Sequence, residues 1–358
     1  MDENVKNKNS RWGYIDALKG IGILLVLLGH ASFSEVLTNV IYLFHMPLFF
    51  VLSGYTDKAN KSIGRVVKDR SRSILYPYVV FGIIILIYNT TFDCLRGIAT
   101  LQKLIKRFVA LLYGNLIWEN NSDYIGTLWF LVALFWSCIL FTLIYKLYKR
   151  DRLLSFLMII GMLIAGVIFQ YLKDRIGLRL PWCIDVAFTG GILYLIGFVA
   201  KSYSDSSIIN SRWVGLKAVI LVVMGFIVGY INLDYIKQQG GAIQRTDMLN
   251  LNYGILPIFI ISSACVSVGF VTLAKYFYQF ISFSLMERIG KMSLILMIVH
   301  IYVNQIVMMG LQHFNLGIWV IYFPISTIIS LLVSHLIHRY CRFLYIPATN
   351  KSIKFKNE

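Results

Sequence analysis

Ten apolar runs of near twenty residues follow one another along this chain, at about 14–33, 40–56, 74–92, 125–146, 153–172, 186–201, 213–233, 252–275, 291–311 and 317–338. A helix needs about 20 apolar residues to cross the hydrocarbon core of a bilayer. Inside that core every backbone polar group must find a partner within the protein, and for a run of this length the helix provides one. The runs therefore predict an all-α, polytopic membrane protein of about ten transmembrane helices. Charged residues are 14% of the chain, against roughly 25% in soluble domains. Trp12, Tyr76, Tyr78, Trp129, Tyr145, Tyr148, Trp182 and Trp213 fall near run ends, where an aromatic belt belongs.

A net charge of +17 raises nucleic acid as a partner, but its distribution argues against that. With the N-terminus inside, most of the 34 Lys and Arg lie in or beside inner segments. They include Lys6, Lys8 and Arg11 before the first run, Lys58, Lys61, Arg65, Lys68, Arg70 and Arg72 after the second, and Lys351, Lys354 and Lys356 at the end. That bias follows the positive-inside rule, so the basic charge reads as topology, with both termini cytoplasmic. The expected organisation is a cytoplasmic tail at 1–12, a transmembrane domain at 13–340 and a basic cytoplasmic tail at 341–358, in the plasma membrane. The first run lacks a small-residue cleavage pattern and reads as a retained span.

That first run also carries charge. Asp16 and Lys19 stand near its start and His30 near its end. On a helix, Asp16 and Lys19 share a face. Lys19 to His30 is eleven residues, about three turns, which returns to that face roughly 16 Å further on. Ionisable groups are costly in a membrane and mark a candidate functional site. The plainer reading is that Asp16 and Lys19 reach the headgroups at one end while His30 caps the other. His45 begins the stretch His45-Met46-Pro47-Leu48-Phe49-Phe50-Val51-Leu52-Ser53-Gly54, so a short connection between runs places His30 and His45 on one outer hairpin. In the ninth run His300, Asn304 and Gln305 make a polar stripe, suited either to bonding helices together or to lining a cavity.

The connecting segments differ in character. The basic residues of 57–73 suit anionic lipid, and equally a phosphate group, which the planar fork of Arg matches well. In 98–113, Leu101, Leu104, Ile105, Phe108, Leu111 and Leu112 share one helical face and Lys103, Lys106 and Arg107 the other, as in an interfacial amphipathic helix. Its basic face sits on the side assigned outside, against the general bias. Segment 202–212 is Ser-rich and reads as a linker. Cys138 and Cys265 fall within runs as packing residues, and the spacing of Cys94 and Cys183 carries no pairing signal. His335 and His338 form a close pair at the end of the last run, explained by interface location; no metal-ligand spacing stands out, and no metal is expected.

Taken together, these residues resemble the family-3 membrane acyltransferases, which O-acylate sugars and related molecules of the cell envelope. The resemblance rests on Asp16 through His30, with ten residues between Lys19 and His30, and on Phe44-His45-Met46-Pro47-Leu48-Phe49-Phe50-Val51-Leu52-Ser53-Gly54. The basic residues before Leu75-Tyr76-Pro77-Tyr78, then Leu128-Trp129-Phe130-Leu131, then Gly290-Lys291-Met292-Ser293 running on to His300, extend it over nearly the whole chain. One departure is that the family often shows an Arg-x-x-Arg pair before the proline, where this chain has Arg70-Ser71-Arg72. The resemblance implies transfer of an acyl group, acetyl foremost, from acyl-coenzyme A as co-substrate to a hydroxyl of an envelope glycan or lipid-linked sugar. Its expected residues are His30, Asp16, Lys19 and His45 for catalysis, Lys68, Arg70 and Arg72 for the donor, and Ser53, Trp129, His300 and Asn304 for the acceptor.

The chemistry suits those residue types. Acyl transfer to a hydroxyl needs a base for its proton, and histidine fills that role near neutral pH. It also needs hydrogen-bond donors or positive charge where the oxyanion develops. Acyl-coenzyme A is cytoplasmic and phosphate-rich, which suits the basic inner segment. Two rival readings use the same spans: a transporter or flippase of an envelope precursor, and a sensor or uptake module without catalysis. A transporter is expected to show inverted repeats or broken helices in matching halves, and neither is evident, although Pro257 and Pro324 stand in late runs.

Overall fold

A computed structural model describes residues 3–31, 34–114, 126–204, 213–241, 243–313 and 319–347. The Ser-rich linker lies from residue 205 onward outside the described residues, as does most of the basic C-terminal tail. Fourteen α-helices run in order among the described residues: α1 Glu3–Gly29, α2 Glu35–Tyr42, α3 His45–Thr56, α4 Ile63–Arg70, α5 Tyr76–Leu95, α6 Leu101–Tyr113, α7 Trp129–Arg150, α8 Arg152–Ile176, α9 Ile184–Ser204, α10 Val214–Gln238, α11 Leu256–Phe277, α12 Ser284–Lys291, α13 Ser293–His313 and α14 Trp319–Tyr340. Ten helical stretches are long and apolar enough to cross a bilayer, and they correspond one to one with the ten runs.

Three departures from the sequence expectation have local causes. The second span is broken into α2 and α3 at Leu43–Phe44. Pro47 has no N–H and its ring collides with the carbonyl four residues earlier, that of Leu43. That freed carbonyl accepts the Ser263 hydroxyl of α11 at 2.8 Å, so it is satisfied inside the protein. The basic segment 57–73 is helical from residue 63, because the Ser62 hydroxyl caps the Arg65 N–H; a π-helical turn at Ser71–Leu75 then carries α4 into α5 as one stretch, Ile63–Leu95. Segment 98–113 does form an amphipathic helix, α6, capped by the Thr100 hydroxyl and ended at Gly114 with φ +79°. Leu101, Ile105, Phe108 and Leu112 are exposed, as an interfacial apolar face requires, but Lys103 and Arg107 reach inward to Asp93 of α5 instead of to headgroups.

The interior packs α1, α3, α7, α9, α11 and α13 around Leu27, Phe50, Phe130, Phe141, Tyr194 and Phe259. Small residues set the closest crossings, as in other membrane helices. A Cβ added to Gly54 of α3 meets the Tyr194 carbonyl of α9 at 1.8 Å, and one on Gly197 meets the Val51 carbonyl at 2.0 Å. Helices α8, α10 and α14 stay peripheral, with Ile164, Ile168, Val223, Ile227, Ile328 and Leu332 exposed toward what the composition marks as lipid. All five cysteines are free, and Cys183 is buried with its thiol on the Gly114 carbonyl.

Candidate functional site

Helix α1 ends one residue short of His30, which sits on the closing turn with its N–H on the Val26 and Leu27 carbonyls, both at 3.2 Å. Its imidazole is exposed in a cavity. The ring lies 5.3 Å, centroid to centroid, from His300 of α13 and 6.1 Å from Tyr42 of α2; Tyr42 is 4.7 Å from His45 of α3. Three histidines from three spans thus meet at one end of the bundle.

The other two histidines differ from His30. His45 is 4% exposed and His300 is fully buried. The Nδ1–H of His45 donates to the Ile41 carbonyl at 2.9 Å, and that of His300 to the Leu296 carbonyl at 3.1 Å. A carbonyl only accepts, so in each neutral ring the proton is on Nδ1 and Nε2 keeps a lone pair. The His300 Nε2 has no hydrogen-bond partner among the described residues. The loop before α11 folds over this end: the Arg245 guanidinium stacks 4.5 Å above the Tyr42 ring, and Arg245 and Asp247 both act on His30 electrostatically.

The cavity holds about 520 Å³, within the usual range for a small-molecule site. Besides His30 its lining includes Phe92, Trp129 and Tyr302, the amides of Asn89, Asn304 and Gln305, and the charged Asp93, Arg96, Lys103 and Arg107. Flat aromatic faces beside amide donors and acceptors form a lining suited to a hydroxyl-rich ligand. Two other grooves, of about 410 and 260 Å³, are walled almost wholly by apolar side chains. Among the described residues no three His, Cys, Asp or Glu side chains converge as metal ligands.

The structure divides the sequence-derived candidates between two ends. His30, Trp129 and Asn304 line the cavity, while His300 packs against His30, and His45 lies behind Tyr42. Asp16 and Lys19 pair with each other at 3.1 Å, roughly 16 Å down α1, where Gly20 and Gly290 bring α1 against α12. Ser53 donates to the Phe49 carbonyl at 2.8 Å within α3 and does not line the cavity. The basic residues belong to the Asp16 end, because Lys201 joins the Asp57 carbonyl there while lying over the Trp12 ring of α1. Arg70 is committed within the protein: it pairs with Asp57 at 3.0 Å and donates to the Tyr194 hydroxyl at 3.1 Å, and that hydroxyl donates in turn to Asp57. Burial works to raise the Asp57 pKa, but the hydrogen bonds from Tyr194 and the Ala59 N–H, with the Arg70 charge, outweigh it and hold the carboxyl below its ordinary value. The pair is therefore intact at neutral pH and is lost only as pH falls through that lowered pKa. Lys68 and Arg72 are exposed.

Tyr42, Asn89, Asp93, Arg96, Arg245 and Asp247 are residues at this end that sequence reasoning passes over, and Lys103 and Arg107 are read there only as the polar face of an interfacial helix. Asn89 and Asp93 stand four apart at the end of an otherwise apolar run, the pattern that marks a polar helix face and the one signal available for them.

A family model described as an acyltransferase domain, family 3, matches residues 12–338. Nodulation protein NolL of Sinorhizobium fredii (strain NBRC 101917 / NGR234) is 30% identical over 161 residues, 41% of this chain and 39% of that protein. Nodulation protein NolL of Mesorhizobium japonicum (strain LMG 29417 / CECT 9101 / MAFF 303099) is 30% identical over 146 residues, 37% of this chain and 35% of that protein. The chain thus spans well under half the length of these two relatives. No solved structure matches it.

Proposed function

The chain belongs to the family-3 acyltransferases, and from that premise we propose that it is a membrane O-acyltransferase moving an acyl group, acetyl foremost, from acyl-coenzyme A to a sugar hydroxyl. The observation that carries this reading is the pairing of an exposed imidazole, His30, with a cavity of sugar-sized volume and polar-aromatic lining. His30 takes the acceptor's hydroxyl proton as it attacks the thioester carbonyl. His300 and His45 back it, each ring fixed by its own carbonyl. Donor phosphates meet the Asp16 end, taken as cytoplasmic from the Lys/Arg bias, and the acceptor meets the His30 end in the outer half of the plasma membrane. The donor's extended thiol arm spans the roughly 16 Å between the two ends, the rise of α1 between Lys19 and His30, so that the thioester meets the hydroxyl at His30 and coenzyme A leaves as the free thiol.

Because Arg70 is already neutralised, the donor's phosphates fall to Lys68 and Arg72. Charge-assisted hydrogen bonds of this kind contribute about 1.5–3 kcal/mol each. The Lys68→Ala, Arg72→Ala double variant should therefore raise the KM for acetyl-coenzyme A by tenfold or more and leave the acceptor KM unchanged. Steady-state kinetics in detergent or nanodiscs reads both. An unchanged donor KM in the folded double variant returns these side chains to lipid headgroup contact.

A further inference from the structure

The charge of the cavity points to the class of acceptor. Arg96, Lys103 and Arg107 all line it, and one carboxylate, Asp93, stands among them. Arg107 pairs with Asp93 at 2.8 Å through one terminal nitrogen, while its buried Nε has no hydrogen-bond partner among the described residues, and Lys103 approaches Asp93 at 3.6 Å while donating to the Ile98 carbonyl. The Arg96 guanidinium stacks over Phe92 at 4.2 Å and donates to the Met309 sulfur. Fastening α6 to α5 needs one of these cations for the one carboxylate; the cavity retains the excess positive charge. The position adds a second argument. These cations lie at the end of the bundle that the overall charge bias assigns outside, where Lys and Arg are depleted. They are not there for headgroups, because α6 turns its apolar face outward and its cations inward. A positive charge held against the topological bias, inside a cavity and beside an exposed imidazole, is suited to recognising an anion.

We propose that the cavity selects an acceptor glycan bearing an anionic group, carboxylate or phosphate, near the hydroxyl that is acylated, with Lys103 and Arg107 holding the anion and Trp129 the sugar face. This rests on the reading above that the cavity takes the acceptor.

The test is ligand binding, followed by isothermal titration calorimetry on the full-length protein in nanodiscs, with three probes of equal length: a neutral oligosaccharide, its hexuronic acid counterpart and its phosphorylated counterpart. One anionic probe should bind at least tenfold more tightly than the neutral one, and which of the two does so identifies the anion. Added salt should erode the preference as it screens charge. Lys103→Gln should reduce it severalfold and Arg107→Gln abolish it. Asp93→Asn removes the carboxylate that competes for Arg107 and should tighten the anionic probe, a gain that misfolding cannot produce. Equal binding of all three probes, no binding of any, or a preference that survives Arg107→Gln in folded protein overturns the proposal. A separate arm measures acyl transfer from acetyl-coenzyme A: anion-selective binding without transfer removes the enzymatic reading and leaves the anion site standing.

Discussion

His30→Ala should abolish acyl transfer while the protein still inserts and keeps its helix content. His30→Gln, which retains size and hydrogen bonding but not basicity, should be equally inactive. A general base contributes typically 10²–10⁴-fold, so the loss is unmistakable in a radiolabel transfer assay. The expectation falls on His30 because it is the histidine whose ring is exposed in the cavity, while His45 and His300 are buried with Nδ1 committed to carbonyls. More than about a tenth of wild-type turnover in both variants moves the role to a different group, and His300, whose Nε2 is unpartnered among the described residues, is tested next by the same pair of substitutions.

Asp185→Ala should cause the largest loss of stability. Asp185, at the start of α9, is 0% exposed. Its carboxylate accepts the Arg179 Nε–H at 2.7 Å, the Leu180 N–H at 3.0 Å and the Val186 N–H at 2.8 Å. The Arg179 side chain is only 10% exposed, so the substitution strands a buried guanidinium along with two backbone donors. Removing one partner of a buried pair costs about 3–5 kcal/mol. The effect extends to the cavity side, because the Arg179 carbonyl accepts the Tyr113 hydroxyl and Trp182 donates to the Leu112 carbonyl, both at the end of α6. Thermal unfolding in detergent should show a large drop for Asp185→Ala and almost none for Asp174→Ala, whose partner Lys173 meets it at the surface. Similar midpoints for the two variants would falsify the buried-pair account.

The ten spans were legible because the bilayer imposes one length and one composition on each. The break before Pro47 was legible in principle, since proline acts on the residue four before it. The existence of α6 was legible from its periodicity, but the direction of its charged face was not. Helical spacing tells which residues share a face, not where the partner is, and the partner here is Asp93 in another helix. The same limit applies to His30 and His300, which meet only because α1 and α13 pack side by side. It applies again to Arg70, which in the sequence reads as a free phosphate contact and in the fold is held by Asp57 and Tyr194. Asp16 and Lys19 share a helix face with His30 by spacing, but spacing does not show that they satisfy each other as an ion pair about three turns away.

In the proposed reaction one acyl group passes from a donor bound at the Asp16 end to a hydroxyl at the His30 end. The most direct measurement uses proteoliposomes of known orientation, with labelled acetyl-coenzyme A confined to the side of the Asp16 end and glycan acceptor confined to the other. Label should appear on the glycan with the wild-type protein, disappear with His30→Gln, and fail to appear when donor and acceptor are exchanged between sides. Transfer that is indifferent to the side of the donor, or unmodified glycan crossing the membrane in place of labelled product, contradicts the account.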